Sequence, residues 1–181
     1  MKFAPLPIAG AFRIEIERQS DERGFFARTF CAQEFGARGL VTEFVQRSVS
    51  FNVHKATLRG LHYQALPHAE TKIVRCTAGA AFDVVVDLRR GSPSFGRHHG
   101  ELITCHNRTM IYIPAGCAHG FETLADATEL YYEITPAYMP QAARGIAFDD
   151  PQLAIAWPLP DPIVAAADRS RPLLEAAELF P

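Results

Sequence analysis

Apolar positions along the chain either alternate with polar ones or form short β-branched runs, and both patterns are typical of strands. The segments predicted as strands are residues 40–44, 72–76, 81–88, 110–113 and 129–134, with a further strand resuming near His99. Helical periodicity is confined to residues 32–38, which Gly39 ends, and to the tail at residues 173–179. The chain is therefore predicted to be all-β, a sandwich, jelly roll or barrel with short peripheral helices.

The clearest predicted strand is residues 81–88. Its apolar side chains at positions 82, 84, 86 and 88 share one face, whereas Asp83 and Asp87 share the other. From Ala147 onwards the chain becomes rich in Pro and Asp, so we expect this part to wrap the surface rather than extend a central strand.

Length and composition limit the possible classes of protein. A chain of 181 residues with 48% apolar residues is enough for one core, so residues 1–181 are predicted to form a single domain. A net charge of -2 argues against a nucleic-acid partner. No apolar run approaches the roughly 18 residues of a membrane span, and the N-terminus lacks a secretory pattern, which predicts a cytoplasmic protein without membrane contact. The cysteines Cys31, Cys76, Cys105 and Cys117 form no CxxC pair and are expected to be small buried apolar residues.

The densest cluster of reactive side chains lies in the segment Thr57-Leu58-Arg59-Gly60-Leu61-His62-Tyr63-Gln64. In a regular strand, His62 and Gln64 would share one face while Arg59 and Tyr63 took the other, unless Gly60 bulges the strand. The alternative for His62 is a hydrogen-bonded histidine of the core.

A second cluster is the turn that contains Pro114, Gly116 and His119, and it matches the PxGxxH motif of the cupin jelly rolls. A metal-binding cupin also needs an HxH pair and a downstream Glu, which are missing here, and the adjacent His98 and His99 point to opposite faces of a strand. We therefore predict no metal and no cofactor.

Ordered landmarks extend the resemblance over nearly the whole chain. They are residues 21–26 (DERGFF), 58–64 (LRGLHYQ), 72–76 (KIVRC), 83–89 (DVVVDLR), 92–96 (SPSFG), 114–121, 138–140 (YMP), 144–146 (RGI), 149–151 (DDP) and 155–158 (IAWP). In these segments the chain resembles the dTDP-4-dehydrorhamnose 3,5-epimerases, which are metal-free cupin enzymes that act on nucleotide-linked keto sugars. The resemblance implies a double-stranded β-helix, the cupin jelly roll.

The resemblance also implies catalytic roles that suit the chemistry of inversion beside a ketone. Such a reaction needs a base, a group that stabilises the enolate oxygen, and an acid on the opposite face. By resemblance His62 is the base, Lys72 lies near the C4 enolate, Tyr138 is the acid, and Asp168 anchors the imidazole.

The same resemblance implies how a nucleotide diphosphate would bind. Arg23, Arg59 and His119 match phosphate and sugar contacts, Phe26 matches the base contact, and Gln46 matches another ligand contact. In the family Arg23 and Phe26 come from a partner subunit, because N-terminal strands are exchanged, so a homodimer is implied. Two positions on the nucleotide side depart from the family pattern, where Arg28 replaces Glu and Ser48 replaces Asn.

The expected activity is inversion of C3 and C5 of dTDP-4-dehydro-6-deoxy-D-glucose to dTDP-4-dehydro-L-rhamnose. Two alternatives stay open at the level of sequence. One is an enzyme that inverts only C3, or moves the ketone, on a related nucleotide-linked keto-deoxysugar. The other is a sugar-binding cupin without catalytic activity.

Overall fold

The structure is a computed structural model that describes residues 1–181. Its strands are β1 (Lys2–Pro5), β2 (Phe12–Glu15), β3 (Gln19–Asp21), β4 (Gly24–Phe26), β5 (Gln46–Asn52), β6 (Thr57–Gln64), β7 (Thr71–Ala78), β8 (Ala80–Asp87), β9 (His98–Thr104), β10 (Met110–Ile113), β11 (Cys117–Thr123), β12 (Thr128–Thr135), β13 (Ala143–Gly145) and β14 (Ile163–Val164). Its helices are α1 (Ala32–Gly36) and α2 (Ala166–Arg169), with 3₁₀ turns at Pro140–Ala142 and Leu174–Ala176. No helix combines the length and the apolarity needed to cross a membrane.

The strands form two large sheets that pack face to face. One sheet has the order β1-β2-β10-β7-β12-β5, and the other has the order β13-β6-β11-β8-β9 with β14 added parallel to β6. Buried side chains from both sheets meet between them, among them Val74 and Ile111 from the first and Val85 and Phe121 from the second. This arrangement confirms the predicted all-β cupin jelly roll.

The second sheet is covered on its outer face by the C-terminal part of the chain. Val84, Val86 and Leu88 pack there against Leu153 and Phe180. The predicted apolar face of residues 81–88 is thus buried, and the segment after Ala147 wraps the sheet as its composition indicated. The opposite face is buried as well, because Asp83 and Asp87 are only 1% and 0% exposed and point between the sheets.

The prediction of a strand at residues 40–44 is wrong. This segment packs its apolar side chains with Phe35 and Ile73 against the outer face of the first sheet. Its backbone is engaged elsewhere, since the N–H of Leu40 bonds the carbonyl of Phe35 and the N–H of Val41 bonds the hydroxyl of Tyr112. The apolar run therefore reflects burial of its side chains rather than hydrogen bonding to a neighbouring strand. The next strand begins at Gln46.

The helix predictions hold only in part. Helix α1 occupies Ala32–Gly36 and ends two residues before the predicted limit of 38. The tail at residues 173–179 has only the 3₁₀ turn, because Phe180 is tied to the second sheet through hydrogen bonds with Leu88 and Arg90. The other predicted strands are confirmed by β7, β8, β9, β10 and β12, although β8 ends at Asp87, one residue before the predicted limit.

The cysteines divide into two groups. Cys76 and Cys117 are buried as expected, whereas Cys31 and Cys105 are partly exposed, and all four are free thiols. Burial raises the pKa of Cys76 to about 11 and that of Cys117 to about 12. The two buried thiols are therefore poor nucleophiles near neutral pH.

Candidate active site

A β-bulge at Gly60 shapes the cluster on β6. His62 lies opposite His119 on β11, and Arg59 lies opposite Phe121, so one more residue on β6 than on β11 spans the same interval. Gly60 has φ +136°, and a Cβ there would lie 2.5 Å from the Cα of Gly120. The glycine is required both by this backbone conformation and by the close approach of the strands.

The bulge changes which side chains share a face. Arg59 and His62 both line one cleft, which a regular strand would have prevented. Tyr63 lies in the buried cluster on the other side of the sheet, where its hydroxyl donates to the carbonyl of Glu178 at 2.6 Å. The alternative of a bulged strand, left open by the sequence, is therefore the observed one.

His62 is paired with Asp168. Its Nε2 lies 2.7 Å from Oδ1 of Asp168, and Oδ2 of the same carboxylate accepts the N–H of Gly60 at 3.2 Å. The His62 side chain is 40% exposed, so it is not a core histidine, whereas that of Asp168 is 9% exposed. Burial lowers the pKa of His62, while the bond and the charge of Asp168 act against this shift. A neutral imidazole with Nδ1 free of protein partners results near neutral pH.

The C-terminal segment brings Asp168 to this position. Strand β14 pairs in parallel with Thr57 and Leu58 at the start of β6, and α2 follows directly. Asp168 lies in α2, where its N–H bonds the carbonyl of Ala165. The guanidinium Nε of Arg171 lies 3.9 Å from the Asp168 carboxylate. The sequence matched Asp168 only by resemblance, because nothing local indicates that this distant segment returns to β6.

Lys72 enters the cleft from β7 in the facing sheet. Its Nζ lies 2.8 Å from Oε1 of Glu70, and both side chains are almost entirely buried. Lys72 and His62 line the same cleft. Sequence reasoning missed Glu70, although its place two residues before Lys72 at the start of a predicted strand was a usable signal.

His119 carries a second histidine–aspartate pair in the cleft. Its Nε2 lies 2.7 Å from Oδ2 of Asp83, and both side chains are buried. The ring of Tyr132 approaches that of His119 edge-on, with centroids 5.8 Å apart. Arg59 lies nearby and its Nε donates to Oδ1 of Asn52 at 2.7 Å. The sequence showed that Asp83 and Asp87 share one face of β8, but it did not show that His119 is the partner of Asp83.

The cleft consists of two adjoining chambers of about 280 and 290 Å³ that share His62, Lys72 and Ile134. Tyr132 lines the first chamber and Tyr138 lines the second. Burial raises the pKa of Tyr132 well above its ordinary value. Tyr138, in contrast, is 54% exposed. Sequence reasoning singled out Tyr138 and missed Tyr132, whose position on the inner face of β12 was its only signal.

Gln46 and Ser48 border the cleft at the edge strand β5. The Gln46 side chain accepts the N–H of Tyr138 at 3.0 Å and approaches the Ser48 hydroxyl at 3.4 Å. Ser48 lines the first chamber. Gln46 thus connects β5 to the segment that carries Tyr138.

Arg23 and Phe26 lie apart from the cleft within this chain. Both belong to the β3–β4 hairpin, whose residues are exposed, and Phe26 is 74% exposed. Arg23 pairs with Asp21 of the same hairpin. Arg28, which follows the hairpin, lies 3.3 Å from Glu34 of α1. A single chain therefore does not bring the predicted base contact to the predicted catalytic residues.

No group of three or more His, Cys, Asp or Glu side chains is arranged to hold a metal ion. The two histidines of the cleft each contact a single carboxylate instead. Independence from metals remains a prediction.

Comparison with known proteins identifies the family to which the chain belongs. A family model described as dTDP-4-dehydrorhamnose 3,5-epimerase matches residues 5–176. The chain belongs to the dTDP-4-dehydrorhamnose 3,5-epimerase family. A curated relative of that name from Pseudomonas aeruginosa is 41% identical over 183 residues and is covered, like this chain, over 100% of its length.

Solved structures of family members have the same fold. The dTDP-4-dehydrorhamnose 3,5-epimerase of Elizabethkingia anophelis superposes with a TM-score of 0.94 at 33% identity, over 97% of each chain. A dTDP-6-deoxy-D-glucose-3,5-epimerase from Legionella pneumophila, in complex with dTDP-4-keto-L-rhamnose, has a TM-score of 0.92 at 36% identity, over 99% of this chain and 97% of that chain. The resemblance inferred from the sequence landmarks is therefore confirmed.

Proposed function

We propose that this member of the family inverts C3 and C5 of dTDP-4-dehydro-6-deoxy-D-glucose to give dTDP-4-dehydro-L-rhamnose. The observation that carries the proposal is the His62–Asp168 pair, 2.7 Å apart, at a cleft that also contains the buried cation Lys72. A base and a stabilising cation in one partly enclosed space are what removal of a proton beside a ketone requires.

His62 is the proposed base. The pKa of His62 is lowered by burial, which keeps the imidazole neutral near pH 7. Asp168 holds Nε2, so Nδ1 is free to take the acidic proton from the carbon next to C4. The resulting imidazolium is stabilised by the carboxylate of Asp168. Since C3 and C5 both neighbour the ketone, one base can serve both carbons in turn.

Lys72 is the proposed partner of the enolate oxygen. Proton removal places negative charge on O4, and a fixed ammonium in a partly enclosed cleft stabilises that charge more than water does. Lys72 lines both chambers together with His62, which supports this role.

Two tyrosines can return the proton on the face opposite His62. The family resemblance assigns this role to Tyr138, whereas the cleft favours Tyr132. Tyr132 comes from β12 in the sheet facing His62, and it shares a chamber with His62 and His119. Tyr138 is 54% exposed at the second chamber. We propose Tyr132 as the donor, with Tyr138 as the alternative that matched variants distinguish.

The proposed substrate contacts follow the charges around the cleft. Arg59 and His119 can bind the pyrophosphate and sugar oxygens from the chamber that they share with His62. Gln46 adds a polar contact at the edge strand. The Legionella relative holds dTDP-4-keto-L-rhamnose, which supports a nucleotide-linked keto sugar as the ligand class.

We propose a homodimer in which the β3–β4 hairpin of each subunit completes the other subunit's site. The hairpin presents Arg23 and the 74% exposed ring of Phe26 without contact to its own cleft. Edge strand β5 also exposes Val49 and Phe51, at 56% and 55%, on its outer face. These apolar residues are suited to burial against a second copy. Measurement of molar mass by light scattering tests this proposal, and a monomer at micromolar concentration would contradict it.

The cytoplasm is the proposed location. All four cysteines are free in this fold, and two of them are partly exposed, which fits a reducing compartment. Fractionation of cells that express a tagged chain provides the test.

The decisive experiment follows deuterium at each carbon. The chain is incubated with dTDP-4-dehydro-6-deoxy-D-glucose in deuterated water, and C3 and C5 are observed separately by NMR. Incorporation with inversion at both carbons is expected. Incorporation only at C3 would establish the C3-only alternative, and binding without incorporation at either carbon would establish the non-catalytic alternative.

A further inference from the structure

Glu70 is a buried carboxylate in the cleft to which the proposed mechanism gives no role. Its Oε1 lies 2.8 Å from Nζ of Lys72, and the two side chains are only 8% and 9% exposed. Both residues line the chamber that also contains His62 and Tyr138. The ion pair is therefore part of the wall that a bound sugar would face.

The surroundings of Lys72 make this carboxylate important. Lys72 pairs across β7 with Ile134 of β12 on one side and with Ile113 of β10 on the other. Directly opposed residues of antiparallel strands share a face, so apolar side chains flank the lysine stem on both sides. Glu70 is the one carboxylate within ion-pair distance of Nζ. A buried ammonium without such a partner would be costly, so Glu70 determines where Nζ lies.

We propose that Glu70 is a positioning residue for the epimerisation, which holds the Lys72 ammonium at the cleft wall and offsets part of its charge until the enolate forms. This inference rests on the proposed function. An ammonium has three N–H donors. One of them is directed to Glu70, so the direction of the others is restricted before the substrate arrives. Less conformational entropy is then lost when Lys72 contacts the developing oxyanion.

The pair also acts electrostatically on His62. Asp168, Lys72 and Arg171 are the charged groups that influence the imidazole most directly. The other titratable or charged side chains that line the two chambers are Arg59, Glu70, His119, Tyr132, Tyr138 and Arg144. The positive charge of Lys72 lowers the pKa of His62. Removal of the negative charge of Glu70 leaves that effect less opposed, so the pKa of His62 should fall further.

The test replaces Glu70 by its neutral isostere. Glu70→Gln keeps the size of the side chain and one hydrogen-bonding oxygen but removes the charge. We expect kcat to fall about tenfold with KM changed by less than about threefold, a smaller loss than the roughly hundredfold that follows removal of a direct oxyanion donor. Glu133→Gln is the matched control. Glu133 is buried beside Arg47 at 3.4 Å on the outer face of β12 and should leave kcat unchanged.

A second measurement needs no substrate. In the Glu70→Gln variant, NMR titration of the His62 ring should show a midpoint at lower pH than in the unmodified chain, and Glu70→Asp should restore the midpoint. An unchanged kcat in Glu70→Gln would overturn the inference. A fall in kcat without a shift of the His62 midpoint would also overturn it, because a merely structural role gives that pattern.

Failure of the proposed function would look different. If His62→Ala retained deuterium exchange, the catalytic scheme would be wrong, yet the midpoint shift in Glu70→Gln would still be observed if Glu70 offsets the charge of Lys72.

Discussion

His62 and His119 lie directly opposite each other on adjacent antiparallel strands, and each imidazole is bonded through Nε2 to its own aspartate at 2.7 Å. The two pairs differ in access. The His62 side chain is 40% exposed, whereas the His119 side chain is 5% exposed. An exchangeable proton must reach the base and leave it again, so the more accessible pair is suited to acid–base work and the buried pair to binding.

This difference in access predicts that an alanine variant of one histidine loses catalysis, whereas an alanine variant of the other loses binding. His62→Ala should lose deuterium incorporation at C3 and C5 by at least about a thousandfold, while the variant still binds dTDP. His119→Ala should mainly weaken binding. Equilibrium dialysis with dTDP and NMR in deuterated water measure the two effects. Incorporation at the unmodified rate in His62→Ala would remove His62 from the mechanism.

Asp168→Asn should slow the reaction by about ten- to a hundredfold, because it removes a charge that orients and stabilises the imidazole without removing the base. Its second signature is in the pH profile. Asp168 raises the pKa of His62 against the effect of burial, so its neutralisation should lower that pKa. The base is lost by protonation as pH falls, and the acidic limb of kcat/KM should therefore move to lower pH.

The matched control for Asp168 is Asp149→Asn, since Asp149 is exposed and makes no ion pair. Its pH profile should match that of the unmodified chain. An acidic limb that stays in place in Asp168→Asn would show that the 2.7 Å contact does not govern the protonation of His62.

Gly60→Ala should destabilise the fold by about 3 kcal/mol or more, through strain at positive φ together with a clash against backbone. The added Cβ would lie 2.5 Å from the Cα of Gly120. Gly96→Ala is the control, because Gly96 also has a positive φ, +71°, and nothing within 4 Å of a Cβ, so it reports backbone strain without a clash. Urea unfolding measures both variants, and equal losses would show that the close approach of β6 and β11 costs nothing.

Dialysis against a strong chelator should leave the rate unchanged, because the cleft holds two separate histidine–aspartate pairs and no convergent set of metal ligands. The assay is repeated after addition of single divalent ions. A large loss that one of these ions restores would contradict the prediction of a metal-free reaction.

Replacement of Cys31 and Cys105 by Ala should also leave the rate unchanged, since the proposed steps use no thiolate.

Sequence patterns predicted those elements whose structure depends on the alternation or clustering of nearby apolar residues. Alternation identified residues 81–88 because one face of that strand carries apolar side chains under the C-terminal segment and the other carries the two aspartates. The apolar run at residues 40–44 was assigned wrongly, since burial beside α1 produces the same pattern as a strand. The shared face of Arg59 and His62 depends on a bulge, which a glycine permits but does not require. Asp83 and Tyr132 join His119 through contacts between distant segments, and no periodicity encodes those.

The last prediction concerns the two tyrosines and separates removal of a proton from its return. If Tyr132 is the donor, Tyr132→Phe leaves His62 and Lys72 in place while the enolate loses its acid on the opposite face. Solvent deuterium should then still enter at C3 or C5 through His62 with retention, whereas the inverted product should fall by at least about a hundredfold. Tyr138→Phe should change the rate by less than about threefold, because it removes only the hydroxyl from a ring that is 54% exposed.

The reverse pattern would assign the acid to Tyr138, as the family resemblance implies. In that case Tyr138→Phe would retain exchange and lose inversion. Tyr132→Phe would then change the rate little, because it keeps the ring that packs edge-on against His119, with centroids 5.8 Å apart. If exchange and inversion fall together in a variant while KM rises, the tyrosine that was replaced only binds the substrate. Since a donor and a binding residue both lower the overall rate, only the ratio of exchange to inversion, measured by NMR in deuterated water, distinguishes the two roles.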